Sequence, residues 1–571
     1  MGNIFLEITV IICLAAFFAV IFRTLKQPII LAYILTGIII GPFGFFNFPN
    51  KDVLQLMAQF GITLLLFMVG LELKFSDLKS VGKVSLITGV GQIVFTSLIG
   101  YLICSFLGFS PITSLYVSIA LTFSSTIIIV KLLSDKRALH SLYGKISVGF
   151  LLVQDFFAIL ILIFLSGFNP SAGSTSSLQA SSGQALFSVD FLSTLAKAAI
   201  LFGGIIYLSR TLLPKVVDII AHSGEALFLF SLAWAFGLAS LVSSEMIGFS
   251  IEIGGFLAGL SLANSTENFQ IASKVRSLRD FFITIFFVIL GMNLTFNNIS
   301  AILLPSLILS VFVLIGNPII VVVIMGIMGY RKRTSFLAGL TVAQISEFSL
   351  IIIYLGNKIG HLSTEIVTLI TVVGIVTFTL STYMIVFGNK LYLFLAPILS
   401  PFERKHTKNE KIIQSEKNME NLKEHVVLVG GDQMGQSVLE ALEELNREVV
   451  VVDFDPGIVK KLKEKNVHII FGDISDLDIQ EKAQLDKAHL VISTIPDIED
   501  NLLLLKELNH ENRRTKVLVM ALDSHDARVL YKEGADYVVL PHLAGGRQLA
   551  KILEKDLDNI SALKAKDLAY L

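Results

Sequence analysis

The sequence predicts two parts: a polytopic α-helical membrane domain and, after it, an α/β domain with a Rossmann-like parallel sheet. Three observations predict this division. The 571 residues are 54% hydrophobic and only 16% charged, which excludes an ordinary soluble protein. Apolar stretches fill residues 4 to 397 and stop there. From residue 425 onward, short β-branched runs alternate with helical stretches, the pattern of a doubly wound sheet.

The change of composition sets the predicted domain boundaries. We place a membrane domain at residues 1–397, a charged linker at 398–424, a Rossmann-like domain at 425–545 and a C-terminal tail at 546–571. From Pro401 onward the linker reads PFERKHTKNEK, too charged to lie in a membrane.

About thirteen apolar stretches are long enough to cross a hydrocarbon core about 30 Å thick. They lie at residues 4–22, 28–45, 54–73, 84–107, 112–133, 144–167, 189–209, 225–244, 247–263, 281–298, 301–329, 335–356 and 364–397. Lysine and arginine concentrate in alternate loops, and the other set of loops holds only Lys51 and Lys358. Under the positive-inside rule, the N-terminus lies outside and the C-terminal domain is cytoplasmic.

Asp155 lies near the middle of the apolar stretch 144–167. A charged side chain at bilayer depth costs about 2.5–3.5 kcal/mol on insertion scales, so such groups usually face a cavity and handle ions or protons. Gln154 beside it adds a neutral amide oxygen. A carboxylate that only locks two helices together is the structural alternative. We interpret Asp155 as an ion-handling group.

Two predicted spans carry polar clusters near their centres. The clusters are Thr122, Ser124, Ser125 and Thr126 in the fifth span, and Gln344, Ser346 and Glu347 in the twelfth. Each cluster alone is a weak signal, because hydroxyl groups in helices often bond to the preceding turn. Paired polar breaks in the two halves of a chain, however, indicate a binding site between inverted repeats. We therefore expect half-helix ends and freed carbonyl groups to surround an ion at Asp155.

Seven segments resemble the monovalent cation:proton antiporter-2 family, and within it the Kef-type potassium efflux systems. In order they are QPIILAYILTGIIIGP (27–42), FMVGLELKFSDL (67–78), ALTFSSTIIIVKLL (120–133), LVQDFFAIL (152–160), GFSIEIGGFLAGLSLA (248–263), LRDFFITIFFVILGMNL (278–294) and GLTVAQISEFSLII (339–352). The resemblance implies a homodimer with two crossed, broken helices in a core domain that moves by elevator-like alternating access. It also implies that Asp155 carries protons and cations in turn.

The resemblance and the polar clusters together define a predicted ion and proton site. Its residues are Gln154, Asp155, Ser124, Ser125, Thr126, Asn317 and Glu347, with potassium at Asp155 and Gln154. By resemblance, a Gln-Asp pair marks the potassium-selecting branch and an Asp-Asp pair marks sodium exchangers. Asn317 departs from the family, which commonly has a basic residue there. A nucleotide-gated, channel-like potassium path and a sodium:proton antiporter therefore stay open as alternatives.

The second domain begins with a strand that leads into GGDQMGQSVLEAL. The dinucleotide fingerprint needs three glycines and an acidic residue about 20 positions later. Gly430 and Gly435 fill the first and third glycine positions, but Asp432 occupies the second, where a carboxylate repels a pyrophosphate. Asp453, at the end of the second predicted strand, fits the acidic residue that binds ribose.

This domain resembles the TrkA-N (RCK or KTN) regulatory domains, which bind AMP, NAD(H) or ATP and gate potassium transporters. The segment VHIIFGDISD at 467–476 matches their turn after a strand and adds Asp473 as a candidate. The predicted nucleotide site comprises Gly430, Gly431, Asp432, Gln433, Met434, Gly435, Asp453 and Asp473. Because of Asp432, we expect AMP or another adenine mononucleotide before NAD(H) or ATP. A domain kept only for dimerisation is the alternative without a ligand.

These observations predict a ligand-regulated potassium:proton antiporter of the inner or plasma membrane, and not an enzyme. The expected partners are a second copy of the chain through both domains, monovalent cations with protons, the lipid bilayer and, as the family allows, an ancillary regulatory subunit. No nucleic acid is expected. A membrane-anchored NAD-dependent dehydrogenase is a third hypothesis, but one Rossmann unit without a substrate domain leaves a hydride acceptor no place to bind.

Overall fold

The fold was analysed in a computed structural model. It describes residues 4–42, 50–72, 82–166, 200–294, 299–399, 424–510 and 515–555, apart from positions 137, 140, 202, 206, 245, 246, 248, 264, 266, 331, 454, 455, 466, 473, 475 and 476. The chain divides into two compact units, whose main parts are residues 1–136 with 145–404, and residues 405–571. We call them the helical unit and the sheet unit.

The helical unit consists of helices alone in its described residues. In chain order they are α1 (Ile4–Thr24), α2 (Ile29–Ile40), α3 (Lys51–Glu72), α4 (Gly82–Phe106), α5 (Pro111–Ala120), α6 (Thr126–Asp135), α7 (Leu142–Ser166), α8 (Leu213–Ile220), α9 (Gly224–Val242), α10 (Ile251–Leu262), α11 (Asn268–Met292), α12 (Ile299–Val311), α13 (Asn317–Ile327), α14 (Lys332–Leu340), α15 (Glu347–Lys358), α16 (Thr364–Val386) and α17 (Gly388–Leu399). A π-helical turn, Phe312–Gly316, joins α12 to α13.

Seven helical segments of the described chain are long and apolar enough to cross a membrane, judged by length and composition. They are Ile4–Thr24, Asp52–Leu71, Gly82–Phe106, Leu142–Leu162, Gly224–Val242, Ile302–Ile327 and Thr364–Val386. Shorter apolar helices include α2, α5 and α10. The prediction of a polytopic helical domain is thus confirmed, although several predicted spans consist of helices too short to cross alone.

Two predicted spans, 112–133 and 335–356, are each broken into two short helices. Residues 121–125 separate α5 from α6, and residues 341–346 separate α14 from α15. Ser125 caps α6 by accepting the Ile128 N–H at 3.4 Å, and Ser346 caps α15 by accepting the Phe348 N–H at 3.2 Å. Serine favours this position because its hydroxyl oxygen satisfies a main-chain donor at a helix start. Both predicted interruptions are confirmed.

One helix begins well before the apolar stretch that predicts it. The apolar stretch was expected at 281–298, but α11 begins thirteen residues earlier, at Asn268. Hydropathy missed this part because Lys274 and Arg276 are charged, while Ile271 and Val275 of the same turns are buried. An amphipathic segment continues the helix without being apolar overall.

Glycines allow the closest helix contacts of the unit. A Cβ atom at Gly255 of α10 would lie 2.8 Å from the main-chain oxygen of Thr63 in α3, and one at Gly259 would meet the main-chain oxygen of Phe67. In the same way, Gly37 and Gly291 bring α2 and α11 together. Small residues permit such approach, and packing then contributes much of the association of helices in a membrane.

The sheet unit contains six parallel strands. The strands are β1 (Val426–Val429), β2 (Val449–Asp453), β3 (His468–Phe471), β4 (Leu490–Ser493), β5 (Lys516–Met520) and β6 (Tyr537–Val539). The helices are α18 (Gln433–Glu444), α19 (Pro456–Glu464), α20 (Leu477–Lys482), α21 (Ile498–His510), α22 (Ser524–Lys532) and α23 (Pro541–Lys555).

The strand order is β3-β2-β1-β4-β5-β6, which places the reversal of connection between β1 and β4. Ligands of such sheets bind beyond the carboxyl ends of the strands at this reversal. Both faces of the sheet are covered, since Val427 and Val429 belong to one apolar cluster and Val426 and Leu428 to another. This arrangement confirms the predicted Rossmann-like domain.

The predicted domain boundaries stay a prediction, and one element crosses them. Helix α23 runs from Pro541 to Lys555, through the boundary that we placed at residue 545. The break in composition that suggested a tail is therefore not a break in the helix. Most of the predicted linker, and residues 556–571 of the predicted tail, lie outside the described residues.

We predict that Gly259→Ala destabilises the helical unit. The new methyl group must displace main-chain atoms of α3, and overpacking of this kind typically costs about 1–3 kcal/mol. The Tm of the purified protein in detergent should fall accordingly. Gly237→Ala in α9 is the matched control, because a Cβ there meets no atom within 4 Å. Equal Tm values for the two variants would contradict the proposed close packing.

Candidate functional site

Amide side chains satisfy the main chain where the first broken helix is unwound. Gln154 of α7 accepts the Ser124 N–H through Oε1 at 3.1 Å. Its Nε2 donates to Gln92 Oε1 at 2.8 Å, and Gln92 Nε2 donates in turn to the carbonyl oxygen of Thr122 at 3.1 Å. Unpaired main-chain groups cost several kcal/mol in a bilayer core. The two glutamines thus stabilise the break.

Asn317 completes this arrangement from the start of α13. Its Nδ2 donates to the carbonyl oxygen of Leu121 at 3.0 Å, and its Oδ1 accepts from Thr96 Oγ1 at 3.1 Å. Thr96 also accepts from Gln92 Nε2 at 3.1 Å. We call these four side chains, all fully buried, the amide network: Gln92, Thr96, Gln154 and Asn317.

Asp155 lies next to the amide network but differs from it in exposure. Thr126, the first residue of α6, donates from Oγ1 to Asp155 Oδ2 at 2.7 Å. Asp155 and Thr126 are both half-buried, whereas Gln154 is fully buried. The carboxylate also lies near the N-terminus of α6, where the helix dipole stabilises negative charge. Asp155 is thus a partly accessible carboxylate beside a fully buried network.

The second break is held by hydroxyl and amide groups. Ile345 N donates to Thr377 Oγ1 at 3.5 Å, and Gln344 Oε1 accepts from Ser381 Oγ at 2.9 Å. Within the described chain, Gln344 Nε2 has no hydrogen-bond partner. This break therefore depends on α16, just as the first depends on α4, α7 and α13.

The two breaks meet at Glu347 and Ser125. The hydroxyl group of Ser125 lies next to the carboxylate of Glu347, which also accepts from Ser346 Oγ at 3.5 Å. Glu347 is buried, and the positive charge of Arg279 acts on its carboxylate. Ser124 Oγ is likewise buried without a hydrogen-bond partner in the described chain. These contacts gather all the candidate residues of the ion site around the first break.

The structure gives two of these residues contacts that the sequence did not indicate. Gln154 was expected to bind potassium, and its oxygen accepts a main-chain N–H. Asn317 was expected at the ion site, and it supports a helix break. Potassium binding by Gln154 stays a prediction, since an amide oxygen has a second lone pair. Gln92 and Thr96 were missed. Gln92 is a polar residue in the middle of the apolar stretch 84–107, and this feature of the sequence could have identified it.

The glycine-rich turn of the sheet unit has the predicted conformation. Gly430 has a φ of +92°, which favours glycine, and a Cβ at Gly435 would meet the main-chain oxygen of Gly430. Thr494, at the end of β4, donates from Oγ1 to the carbonyl oxygens of Val429 and Gly430 at 3.1 and 3.0 Å. The turn therefore lies at the reversal between β1 and β4 and fits a nucleotide-binding site.

Asp453 contacts this turn directly. Its Oδ2 accepts the Gly431 N–H at 2.6 Å, and its side chain is buried. Asp432 is exposed and caps α18 without a side-chain hydrogen bond, while Gln433 and Met434 form the first turn of that helix. The ribose role of Asp453 stays a prediction. Asp473 lies outside the described residues.

Comparison with known proteins gives a family for each unit. Residues 10–387 match the family model "Sodium/hydrogen exchanger, transmembrane", and residues 426–541 match the TrkA-N domain. "Putative cation/proton antiporter YbaL" from Escherichia coli (strain K12) is 26% identical over 547 residues, 95% of each chain. "K(+) efflux antiporter 2, chloroplastic" from Arabidopsis thaliana is 26% identical over 93% of this chain, but this chain covers only 45% of that protein.

A solved structure is similar to the helical unit. The sodium proton antiporter MjNhaP1 from Methanocaldococcus jannaschii at pH 8 is 19% identical, with a TM-score of 0.49, and the match covers 68% of this chain and 97% of that chain.

We predict that Asp453→Ala loosens the glycine-rich turn, because the Gly431 N–H loses a charged acceptor. A hydrogen bond to a charged group contributes about 1.5–3 kcal/mol, so the Gly431 amide should exchange its hydrogen at least about tenfold faster. Hydrogen exchange followed by mass spectrometry on the full chain measures this. Asp453→Asn is the control, since its side-chain oxygen still accepts. An unchanged exchange rate in Asp453→Ala would show that the contact contributes nothing.

Proposed function

Because this chain belongs to the sodium/hydrogen exchanger family and carries a TrkA-N domain, we propose that it exchanges potassium ions for protons across a cell membrane. It would work as a homodimer by alternating access, with the N-terminus outside and the sheet unit in the cytoplasm. A cytoplasmic adenine nucleotide would regulate the exchange.

One observation carries this proposal: the half-buried Asp155 bound to Thr126 at a helix break. A charged carboxylate in a membrane is costly, and taking up a proton or a cation neutralises it. Since the two compete for the same oxygens, Asp155 holds one or the other. Alternating access then carries one potassium ion out and one proton in during each cycle, and no net charge crosses the membrane.

The neutral oxygens around Asp155 support potassium as the cation. Ser124 Oγ lies on the unwound segment and Thr126 Oγ1 at the start of α6, and neither carries a charge. Neutral oxygens suit an ion that gives up its water readily, as potassium does more easily than sodium. The name of the Arabidopsis thaliana relative, a K(+) efflux antiporter, agrees with this choice.

Glu347 has a supporting role in this mechanism. It contacts Ser125 but is buried, whereas Asp155 is half-buried. A cation that enters from water meets Asp155 first, so we assign the exchange to Asp155. Glu347 would hold the two breaks in register through the Ser125 hydroxyl.

The sheet unit provides residues that fit a nucleotide. Gly430 and Gly435 would allow a phosphate to approach the start of α18, and Asp453 would bind a ribose. Asp432 adds a negative charge at that helix start, which favours a mononucleotide such as AMP over NAD(H). Nucleotide binding would shift the equilibrium between the transporting and resting states of the protein only if the nucleotide binds one state more tightly.

We predict that Asp155→Asn abolishes potassium-driven proton movement, because an amide cannot exchange a proton for a cation. The measurement uses proteoliposomes with an internal pH-sensitive dye, an imposed potassium or sodium gradient and zero membrane potential. The wild-type rate with potassium should exceed that with sodium, and the variant should stay at the background of empty vesicles.

Asp218→Asn is the matched control, because Asp218 is an exposed carboxylate on α8, outside the elements that form the ion site. It should transport at the wild-type rate. Full activity of Asp155→Asn would refute the assigned role. Potassium uptake without proton movement would instead support a channel-like path, and a higher rate with sodium would support a sodium antiporter.

We predict that Asp432→Gly strengthens binding of NAD(H) to the purified full-length protein more than it strengthens binding of AMP. Removing one charge near a helix N-terminus changes binding by about two- to fivefold, the equivalent of about 0.3–1 kcal/mol. Isothermal titration calorimetry measures both affinities. Glu443→Gln removes a charge from the far end of α18 and should change neither. Equal gains for both nucleotides would argue against a pyrophosphate near Asp432.

A further inference from the structure

We propose that Gln92 is a positioning residue for the ion site and sets its affinity and selectivity for potassium. The inference rests on the proposed exchange at Asp155 and extends it to a residue of α4. Gln92 would act through Gln154 by holding the unwound segment 121–125 in one shape.

Gln92 uses both of its amide hydrogens and its oxygen in this position. Its two amide hydrogens go to Thr122 O and Thr96 Oγ1, both at 3.1 Å, and its oxygen accepts from Gln154 Nε2 at 2.8 Å. These partners fix which end of the amide is oxygen and which is nitrogen. The side chain is fully buried, so water cannot replace a lost partner.

Gln92 holds the break from two sides at once. It binds the carbonyl oxygen of Thr122 directly, and it orients Gln154, which accepts the N–H of Ser124 two residues later. Loss of the Gln92 amide leaves the Thr122 oxygen and Gln154 Nε2 without partners in a buried place. The segment between Thr122 and Ser124 then has to move, or Gln154 has to turn.

Such a movement reaches the ion ligands because they lie on the unwound segment or directly after it. Ser124 Oγ has no partner among the described residues, and Thr126 Oγ1 donates to Asp155 two residues further on. A change in the main chain at residue 124 displaces these oxygens relative to Asp155. Potassium and sodium differ in size, so discrimination between them depends on how firmly the oxygens are held. Loss of the Gln92 amide leaves Asp155 itself unchanged, so the carboxylate can still exchange a proton for a cation.

The test compares Gln92→Met with wild type in the proteoliposome assay. The apparent KM for potassium should rise about tenfold, and the preference for potassium over sodium should fall, while the maximal rate stays within about twofold. Thr88→Val, one turn away on α4, is the matched control. It removes a buried hydroxyl that has no partner in the described chain, and it should leave both KM and selectivity unchanged.

A second variant provides a rescue. Gln92→Glu imitates the amide only while its carboxyl group is protonated, since it then donates to Thr122 O and accepts from Gln154. Relative to wild type at the same pH, its KM should recover as the pH falls. The KM of Gln92→Met should show no such recovery. If Gln92 only stabilises the fold, the KM of neither variant relative to wild type should depend on pH.

Two further results decide whether Gln92 acts through Gln154. The double variant Gln92→Met/Gln154→Met should be no worse in KM than the more impaired single variant, because the pair acts as a unit. Hydrogen exchange at residues 122–126 should be faster in Gln92→Met and unchanged in Thr88→Val. Absence of cation-driven proton flux in the wild-type protein would refute the proposed transport function. The hydrogen-exchange rates at residues 122–126 would then still test the role of Gln92. The proposal would be overturned if Gln92→Met had the same KM for potassium, the same ion selectivity and the same hydrogen-exchange rates as the wild type.

Discussion

The helical unit depends on one constraint: a main chain that leaves its helix inside a membrane must still satisfy its hydrogen bonds. At the first break this is done by neutral amides from three other helices, with Gln92 on α4, Gln154 on α7 and Asn317 on α13. The break is therefore a property of the packed unit and not of its own sequence. Without such partners, the broken segment would either form a continuous helix or unfold.

The same constraint separates two kinds of polar group. The amide network is sealed, because every one of its side chains is fully buried and hydrogen-bonded. Asp155 and Thr126 are half-buried beside it, and Ser124 Oγ has no partner within the described residues. The sealed groups hold the main chain in shape, and the half-buried groups are those to which we assign ion exchange. Asn317 illustrates this division, since it is neutral and belongs to the sealed part.

In the sheet unit, a buried side chain likewise satisfies a main-chain hydrogen bond at the glycine-rich turn. Asp453 accepts the Gly431 N–H, so a buried carboxylate and a main-chain donor stabilise each other across β1 and β2. The turn needs glycine at 430 for its positive φ and at 435 for close approach to the main chain. A ligand that binds there has to compete with the Asp453 contact, which is one physical route by which binding alters the turn.

The sequence by itself determined the two-part architecture, the two helix breaks and the residues that mark them. Apolar length, alternating β-branched runs and polar clusters such as Ser124–Thr126 are local signals, readable without the fold. Only the tertiary structure decided which polar groups meet. Gln92 and Asn317 lie 225 positions apart in the chain, yet Thr96 links them by hydrogen bonds at 3.1 Å. Such pairing depends on how helices pack, and helix packing is not encoded in any single stretch of sequence.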